Sequence, residues 1–481
     1  MTSTEKVRDS APPIRVADLA GMRIESDFLG EAAIPADAYW GIHTARAVTN
    51  FPISGLLLAS YPDLIAALGA VKQGAVRANL ELGAIDPERA RAIDQSCDDV
   101  REGRLDSEFI VDIIQGGAGT STNMNANEVI ANRALEILGE PLGSYGRLHP
   151  IDHVNRSQST NDVYPTAVRI ATMACLGRLI ETITLLAEAL ATKADEFAGI
   201  LKVGRTQLQD AVPMTLGQEF RSWSVSLSDE IPHLIEARRG LREINLGATA
   251  IGTGINTDPA YASLVCARVS EIVGTELSTA PNLIAATSDT GAFVRVSSAV
   301  KSAALKASKI CNDLRLLSSG PQAGLGELRL PARQAGSSIM PGKVNPVIPE
   351  VVNQVAFVVI GADMTLTMAA EAGQLQLNAF EPVMVHSLFQ GISWLTNALG
   401  TLEKNCVRSI EANVDNLAAT STRSVGVVTA LIPHIGYATA AAIAKAALAG
   451  RGTVHDLIVA EGHLTAEQVT ALTQPRLLTR S

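Results

Sequence analysis

The sequence is poor in aromatic residues and in cysteines. Aromatic side chains make up 4% of the 481 residues, although hydrophobic residues make up 47%. The apolar content is therefore mainly Ala, Val, Leu and Ile, which suits long, closely packed helices better than a β-sandwich. The five cysteines are scattered and form no CxxC pair, so we expect buried free thiols in a reducing, cytoplasmic setting.

Signals of several functional classes are also missing. The formal net charge is -10, and the sequence contains no block of Lys and Arg. Both features argue against nucleic acid as a partner. No uninterrupted apolar run approaches the roughly 18 residues of a membrane span, and the polar N-terminus lacks the apolar core of a secretory signal. There is no HExxH and no GxGxxG after a predicted strand. His149 and His153 have the spacing of two metal ligands, but no third ligand lies nearby, so we expect no metal site.

Long helical patterns dominate the middle of the chain. Apolar residues between 173 and 190 recur at steps of three and four, which predicts one helix over Tyr164–Ala198. Shorter helices are predicted over Tyr61–Leu82 and Asn125–Leu138. Pro232 predicts a kink in the next long helix. The remaining long helices are predicted over Leu216–Ile244, Ser288–Leu317, Glu350–Leu377 and Pro382–Ile410.

These patterns predict three domains. They comprise residues 1–159, with 1–24 as a loose tail, then a central bundle of five helices over 160–415, and a small helical domain over 416–481. Helices that are apolar or small nearly all round are usually buried on all sides, and one bundle cannot bury this much surface. We therefore expect the bundles of several copies to assemble. The alternative is that the Ala-rich faces only reflect an Ala-rich composition.

Four polar segments, rich in Gly, Ser, Thr and Asn, interrupt the helices at 116–123, 157–162, 204–210 and 336–346. Each lies at or beside a predicted helix end, where unpaired N–H groups and the positive end of the helix dipole favour anions. For one segment alone, ordinary N-capping is the simpler interpretation. Four such segments together favour a dicarboxylate site, because such a site needs many neutral donors.

The fourth segment has the most specific pattern. Lys343 and Asn345 supply a cation and a neutral donor two residues apart, which suits one carboxylate. Gly336 permits a backbone turn that other residues do not adopt. The segment is not a phosphate-binding P-loop, because Gly336 to Gly342 is one residue too long and Val344 stands where Ser or Thr must hold magnesium.

At these residues the sequence resembles the aspartase/fumarase superfamily. The residues GSSIMPGKVNPVIPE at 336–350 are similar to the signature loop of that family, which is highly specific. The resemblance extends from about residue 25 to the C-terminus, and within the superfamily it is closest to aspartate ammonia-lyases and next to class II fumarases. Its other matching segments are 36–44, 119–128, 158–164, 204–220, 245–256 and 371–378.

The resemblance implies an all-α fold of three domains. The five-helix bundles of four identical subunits would form a twenty-helix core, and segments of three subunits would build each active site. The substrate would be a small dicarboxylate, with no nucleic-acid or membrane partner. The chain lacks the Ala-Ser-Gly tripeptide from which another ammonia-lyase family makes its prosthetic group. We therefore expect no cofactor, and an activating divalent cation is not readable from the sequence.

The resemblance also implies reversible deamination of L-aspartate to fumarate and ammonia. Ser337 would be the general base that removes a proton from C3, which yields an aci-carboxylate. The implied substrate contacts are Thr120, Ser159, Thr160 and Ser338 at the β-carboxylate, Lys343 and Asn345 at the α-carboxylate, and Asn161 and Thr206 at the amino group. Arg46 is a weaker candidate near the site.

One position separates the two closest branches. In fumarases a histidine follows the position of Thr206 and pairs with a glutamate at the position of Glu350, whereas this chain has Gln207. A neutral amide cannot relay a proton to a leaving hydroxide, but ammonia departs from an already protonated amine. Gln207 therefore favours an aspartase, although some aspartases carry histidine here. Class II fumarase is the alternative, and the intact signature loop disfavours a non-catalytic protein on the same scaffold.

Overall fold

A computed structural model describes residues 21–479. Helices dominate these residues, which confirms the all-α prediction. The helices are α1 Ile42–Asn50, α2 Pro62–Glu81, α3 Pro87–Arg101, α4 Thr120–Ile137, α5 Thr160–Glu196, α6 Leu216–Ser228, α7 Glu230–Arg239, α8 Tyr261–Val273, α9 Leu283–Ser288, α10 Gly291–Leu317, α11 Val347–Glu371, α12 Glu381–Asn405, α13 Val414–Arg423, α14 Val428–Ile435, α15 Tyr437–Leu448, α16 Val454–Ala460, α17 Ala466–Leu472 and α18 Pro475–Leu478.

Short strands accompany the helices in pairs. In chain order, the strands of the first, second and fourth pairs are antiparallel, and those of the third pair are parallel. The strands are β1 Met22–Asp27, β2 Gly30–Pro35, β3 Leu201–Thr206, β4 Gln209–Thr215, β5 Glu243–Ile244, β6 Ser278–Thr279, β7 Leu328–Arg329 and β8 Glu411–Ala412.

The chain folds into two compact units. Unit 1 contains the described residues up to Ala174, together with Arg239–Val294 and Thr365–Phe389. Unit 2 contains Cys175–Arg238, Arg295–Met364 and the described residues from Gln390 onwards. The division into three domains at residues 159 and 415 stays a prediction.

The predicted helix over Leu216–Ile244 is two helices, α6 and α7, which meet at Asp229. Pro232 has no N–H to donate to the carbonyl of Ser228, and its ring clashes with that carbonyl. The first helix therefore ends at Ser228, where the sequence predicted only a kink.

Helix α11 ends at Glu371 instead of near Leu377. The side-chain amide of Asn378 donates to the carbonyls of Ala369 and Ala370 at 3.0 and 3.3 Å. These bonds satisfy the last helical carbonyls, which lack intrahelical partners. The apolar periodicity could not reveal that a side chain beyond the helix supplies its cap.

The predicted loose tail is wrong for residues 22–24. They belong to β1, and the guanidinium of Arg23 donates to the carbonyls of Pro35 and Ala38 at 3.0 and 2.7 Å. These bonds and the β1–β2 ladder order the segment. The tail residues before Gly21 lie outside the described residues.

All five cysteines are free and buried, which confirms the prediction of buried thiols. Helices α5 and α11 are long and apolar enough to cross a membrane by length and composition alone. Half of the most apolar window of α5 is buried inside the protein, as is typical of a core helix.

Candidate active site

In unit 1, the first polar segment forms the start of α4. Thr120 is the first helical residue, and its hydroxyl donates to the carbonyl of Gly117 at 2.7 Å. Gly119 has a φ of 86°, and a Cβ there would lie 2.5 Å from the ring of Tyr164. Only glycine combines this backbone conformation with such a close approach. The start of α4 therefore packs against the first turns of α5.

The second polar segment caps α5. The hydroxyl of Ser159 accepts the N–H of Asn161 at 3.2 Å, and the carboxylate of Asp162 accepts the N–H of Ser159 at 3.0 Å. This arrangement resembles a capping box, except that the Ser159 hydroxyl accepts the N–H of the second helical residue instead of the third. It places Ser159, Thr160 and Asn161 together at the positive end of a long helix.

Asp162 fixes this helix start to the loop between β5 and α8. Its second carboxylate oxygen accepts the N–H groups of Gly247 and Thr249 at 3.1 and 2.9 Å. The side-chain amide of Asn161 donates to the carbonyl of Ala250 at 2.7 Å, which leaves its oxygen as the acceptor for a ligand. Burial raises the pKa of Asp162 to about 6, although these N–H donors oppose the rise.

A polar cavity of about 480 Å³ lies beside this helix start. Its lining includes Ser159, Ser157, Thr249 and Asn256. The last three have φ values of 64°, 57° and 64°, in the left-handed region that residues other than glycine rarely occupy. Backbone strain of this kind gathers at functional sites. The geometry thus makes the cavity a candidate binding site in unit 1.

In unit 2, the third polar segment is the tip of the β3–β4 hairpin. Thr206 pairs with Gln209, and Gln207 and Leu208 between them have φ values of 53° and 63°. Two positive φ values define a type I′ turn, which matches the twist of a hairpin. Thr206 and Gln207 are exposed at this tip.

A buried ion cluster holds the hairpin. A guanidinium nitrogen of Arg205 lies 2.6 Å from the carboxylate of Glu327, and the ammonium of Lys202 lies 3.0 Å from it. Lys202 also pairs with Glu219. Because Arg205 directly precedes Thr206, this cluster anchors the strand end from which the tip projects.

The fourth polar segment folds as a closed loop. The N–H of Gly336 donates to the carbonyl of Lys343 at 2.7 Å, and the side-chain amide of Asn345 donates to the carbonyl of Gly336 at 2.8 Å. A Cβ on residue 336 would lie 2.6 Å from the carbonyl oxygen of Lys343. Glycine is therefore required at this closure.

The hydroxyl of Ser337 accepts two backbone N–H groups inside this loop. They come from Ile339 at 3.1 Å and Met340 at 3.0 Å. Hydrogen bonds to the charged form of a group favour that form, so this arrangement stabilises a serine alkoxide. Ser338 and Lys343 are exposed on the same loop. No hydrogen bond of the Lys343 ammonium is found among residues 21–479.

The two remaining predicted residues are Arg46 and Glu350. The guanidinium of Arg46 donates two hydrogen bonds of 2.8 Å to the carboxylate of Asp27. This pairing lowers the pKa of the Asp27 carboxyl. The guanidinium of Arg46 is thus already paired with a carboxylate. Glu350 lies in the first turn of α11 and is half-buried.

The rings of the two histidines with metal-ligand spacing accept hydrogen bonds from backbone N–H groups. Nδ1 of His153 accepts the N–H of His149 at 2.8 Å, and Nδ1 of His149 accepts the N–H of Ile151 at 3.1 Å. Within residues 21–479 no three His, Cys, Asp or Glu side chains gather as a metal site would require. The absence of a metal stays a prediction.

The structure therefore groups the candidate residues in two sets. Thr120, Ser159, Thr160 and Asn161 lie at adjoining helix starts in unit 1. Thr206, Gln207, Ser337, Ser338, Lys343 and Asn345 lie in the hairpin tip and the closed loop of unit 2.

Sequence reasoning missed two charged residues beside the first set. Asp162 stands three residues after Ser159, a spacing typical of helix capping and the available signal for its role. Lys72 stands inside an apolar helix, where it is fully buried. A lysine at a core position of α2 was the available signal.

The chain matches a known enzyme family over most of its length. Residues 30–361 match the family model described as lyase. Residues 427–480 match the model described as fumarase C C-terminus. The two matches together extend through both compact units.

Similar curated proteins are named aspartate ammonia-lyase. The protein from Helicobacter pylori is 53% identical over 94% of this chain and 97% of its own length. The protein from Escherichia coli is 51% identical over 92% of this chain and 93% of its own length. Both relatives align along nearly their full length.

Solved structures share the fold. A fumarate lyase:delta crystallin from Brucella melitensis bound to cobalt is 53% identical, with a TM-score of 0.92 over 94% of this chain and 98% of its own. A class II fumarase from Schistosoma mansoni is 31% identical, with a TM-score of 0.89 over 94% of this chain and 98% of its own.

Proposed function

Because the chain belongs to the lyase family, we propose that it is a carbon–nitrogen lyase that converts L-aspartate reversibly to fumarate and ammonia. The relatives named aspartate ammonia-lyase, at 50% to 53% identity over almost their whole length, support this substrate. The observation that carries the chemistry is the hydroxyl of Ser337, which accepts two backbone N–H groups.

Ser337 acts as the general base. A free serine hydroxyl is a very weak acid, and each pKa unit that it must fall corresponds to about 1.4 kcal/mol of stabilisation. The N–H groups of Ile339 and Met340 supply part of this stabilisation, and the Lys343 charge on the same loop adds to it. The alkoxide takes the proton from C3, and the electron pair of that C–H bond passes into the β-carboxylate. When the pair forms the C2–C3 double bond, the C2–N bond breaks and ammonia leaves.

Neutral donors hold the carboxylate that gains charge. Ser159 and Thr160 at the start of α5 and Ser338 of the loop bind the β-carboxylate. Thr120 at the start of α4 joins them when its hydroxyl turns from the carbonyl of Gly117 to the substrate. Their hydrogen bonds strengthen as the aci-carboxylate forms, which stabilises the transition state more than the ground state. Lys343 and Asn345 bind the α-carboxylate.

The amino group of aspartate is bound by hydrogen-bond acceptors. Asn161 uses its amide nitrogen on the carbonyl of Ala250, so its oxygen remains for the ammonium of aspartate. Thr206 contacts the same group from the hairpin tip. Gln207 offers no titrating side chain, which fits a leaving group that carries its own protons. Glu350 has no acid role in this scheme.

The scheme uses side chains and backbone groups alone. The hydroxyl, amide and ammonium groups in the candidate site bind a carboxylate directly, so we propose that no cofactor takes part. We place the enzyme in the cytoplasm, where its five free thiols remain reduced.

We further propose a homotetramer with active sites shared by three subunits. Helix α11 supports this assembly, because Phe357, Met364 and Met368 are 63%, 62% and 66% exposed. Spacings of seven and four residues place them on one face of the helix. A contiguous apolar face of this kind is usually covered by a partner, and a bundle of identical helices offers one. The assembly would also bring polar segments of different subunits to one substrate.

Paired assays test the substrate. With aspartate, the enzyme should release fumarate, measured by its ultraviolet absorbance, and ammonia should reverse the reaction. With malate, the rate should be at least about 100-fold lower, which corresponds to about 2.7 kcal/mol of discrimination. Rapid malate conversion without ammonia-dependent loss of fumarate would instead identify a fumarase.

Lys343→Ala should chiefly weaken substrate binding. The lost charge-assisted bond to the α-carboxylate is worth about 1.5–3 kcal/mol, which predicts a rise of the KM for aspartate by about 10- to 100-fold. Lys404, an exposed lysine on α12, supplies the control Lys404→Ala. An unchanged KM in Lys343→Ala would rule out the carboxylate contact.

A further inference from the structure

Lys72 is a fully buried cation on α2. Its ammonium lies 2.8 Å from Oδ1 of Asn155 and 2.9 Å from Oε1 of Gln158. Among the described residues, no carboxylate lies within ion-pair distance of this ammonium. A buried charge without a counter-ion is costly, so the two amide oxygens are its essential partners.

The hydrogen bonds continue from Asn155 to the candidate site. The same Oδ1 atom accepts the side-chain amides of Asn123 and Asn127, each at 3.2 Å. The amide of Asn123 also donates to the hydroxyl of Thr160 at 3.0 Å. A chain of three bonds thus connects Lys72 to a proposed substrate contact.

The lysine fixes the direction of the bonds in this chain together with the backbone carbonyl of Gln158, which accepts the side-chain amide of Asn155 at 3.2 Å. An ammonium only donates, whereas an Asn side chain can present either its oxygen or its amino group. Asn155 must therefore turn its oxygen to Lys72, and Asn123 must turn its amino group to that oxygen. The second N–H of Asn123 then occupies a lone pair of Thr160. The hydroxyl proton of Thr160 is left to point at another acceptor.

This arrangement leaves the side-chain oxygens of Asn123 and Asn127 without a partner among the described residues. Oδ1 of Asn123 is buried and accepts no hydrogen bond within residues 21–479. An unsatisfied buried acceptor costs free energy, so the orientation of Asn123 is not the one that its own oxygen would select. Asn123 keeps this orientation because the oxygen of Asn155, which faces Lys72, requires a donor.

We propose that Lys72 is a positioning residue that fixes the direction of the chain from Lys72 through Asn155 and Asn123, so that the hydroxyl of Thr160 donates to the dicarboxylate substrate. The proposal rests on the proposed function, in which Thr160 binds the β-carboxylate. Lys72 itself does not touch the substrate.

Negatively charged neighbours favour the ammonium form of Lys72, whereas burial opposes it. Burial lowers the pKa of Lys72 to about 7, and the carboxylate of Asp162 on α5 opposes the lowering. Burial raises the pKa of the Cys97 thiol, which stays neutral. A dicarboxylate near Thr160, such as aspartate with its net negative charge, would favour the ammonium further. Substrate binding and protonation of Lys72 therefore reinforce each other.

Two isosteric variants on α4 test the direction of the chain. In Asn123→Asp the new carboxylate only accepts, so the Thr160 hydroxyl donates to it and not to the substrate. We expect kcat/KM for aspartate to fall by about 30-fold or more, the effect of losing one hydrogen bond to a charged group. Asn127→Asp is the matched control, because Asn127 is equally buried and donates to the same Asn155 oxygen but has no bond to Thr160. It should lose less than about threefold.

A double-mutant cycle completes the test. In a Thr160→Val background, Asn123→Asp should cause no further loss, because both changes remove the same donor. Lys72→Met should lower kcat/KM as Asn123→Asp does; if it fails to fold, the asparagine variants decide. Equal losses in the two asparagine variants, additive losses with Thr160→Val, or a folded Lys72→Met with wild-type kcat/KM would overturn the proposal. A wild-type enzyme that releases no fumarate from aspartate would count against the proposed function instead.

Discussion

Ser337→Ala should lower kcat for aspartate by about 10³-fold or more, within the range by which a general base accelerates proton transfer. The substitution removes the oxygen that accepts the N–H groups of Ile339 and Met340. These N–H groups lie in an exposed loop, where water can replace the serine. Fold and assembly should therefore be retained while the chemistry is lost. Steady-state kinetics together with circular dichroism and light scattering would measure the two effects.

Isotope exchange tests the proton-removal step directly. The wild-type enzyme should exchange one C3 hydrogen of aspartate with deuterated water, and Ser337→Ala should not, because proton removal itself needs the base. Ser222→Ala, at an exposed serine of α6, provides the control for a lost hydroxyl. If Ser337→Ala keeps activity within tenfold of wild type, another group must remove the proton.

Phe357→Glu combined with Met364→Glu should dissociate the tetramer and abolish activity. Each apolar side chain of this size contributes about 1.5–3 kcal/mol when it is fully withdrawn from water. Two carboxylates on the same face would have to be buried without partners, at a larger cost. Because three subunits contribute to each proposed site, the dissociated subunits should be inactive. Analytical ultracentrifugation and the fumarate assay would follow both losses.

The matched control variant changes helix α15, which lies outside the predicted five-helix bundle over residues 160–415. Tyr437 and Leu448 of α15 are 76% and 75% exposed, so Tyr437→Glu combined with Leu448→Glu changes a comparable apolar surface. This variant should remain tetrameric and active. A Phe357→Glu/Met364→Glu protein that is still tetrameric would exclude the α11 face from the interface, and a folded monomer with full activity would exclude shared sites.

The helical part of the fold was predictable because its signals are local. Apolar residues at steps of three and four gave α5 within four residues of its observed start at Thr160. The end of α6 at Ser228 was not predictable from periodicity, because Pro232 breaks a pattern that continues beyond it. The end of α11 depends on Asn378, seven residues after Glu371, and no pattern of apolar residues contains that contact.

The sequence proposes the residues of the candidate site but not the contacts that hold them in place. Polar segments and the signature loop pointed to Ser337, Lys343 and Thr160 without any coordinates. The pairing of Arg46 with Asp27, across 19 residues of sequence, was not visible in the same way. A charged side chain can satisfy a distant carboxylate or a ligand equally well, so its sequence position alone cannot distinguish the two.

The helical class, the polar segments and the family follow from the amino-acid sequence alone, because these depend on residue type and short spacing. Tertiary structure decided how the polar groups are oriented. Asp162 reaches Gly247 and Thr249, and Lys72 reaches Asn155, across 83 to 87 residues of chain. Each of these side chains could bind many partners. Only the packing of α2, α4 and α5 selects one partner and, with it, the direction of the hydrogen bond to Thr160.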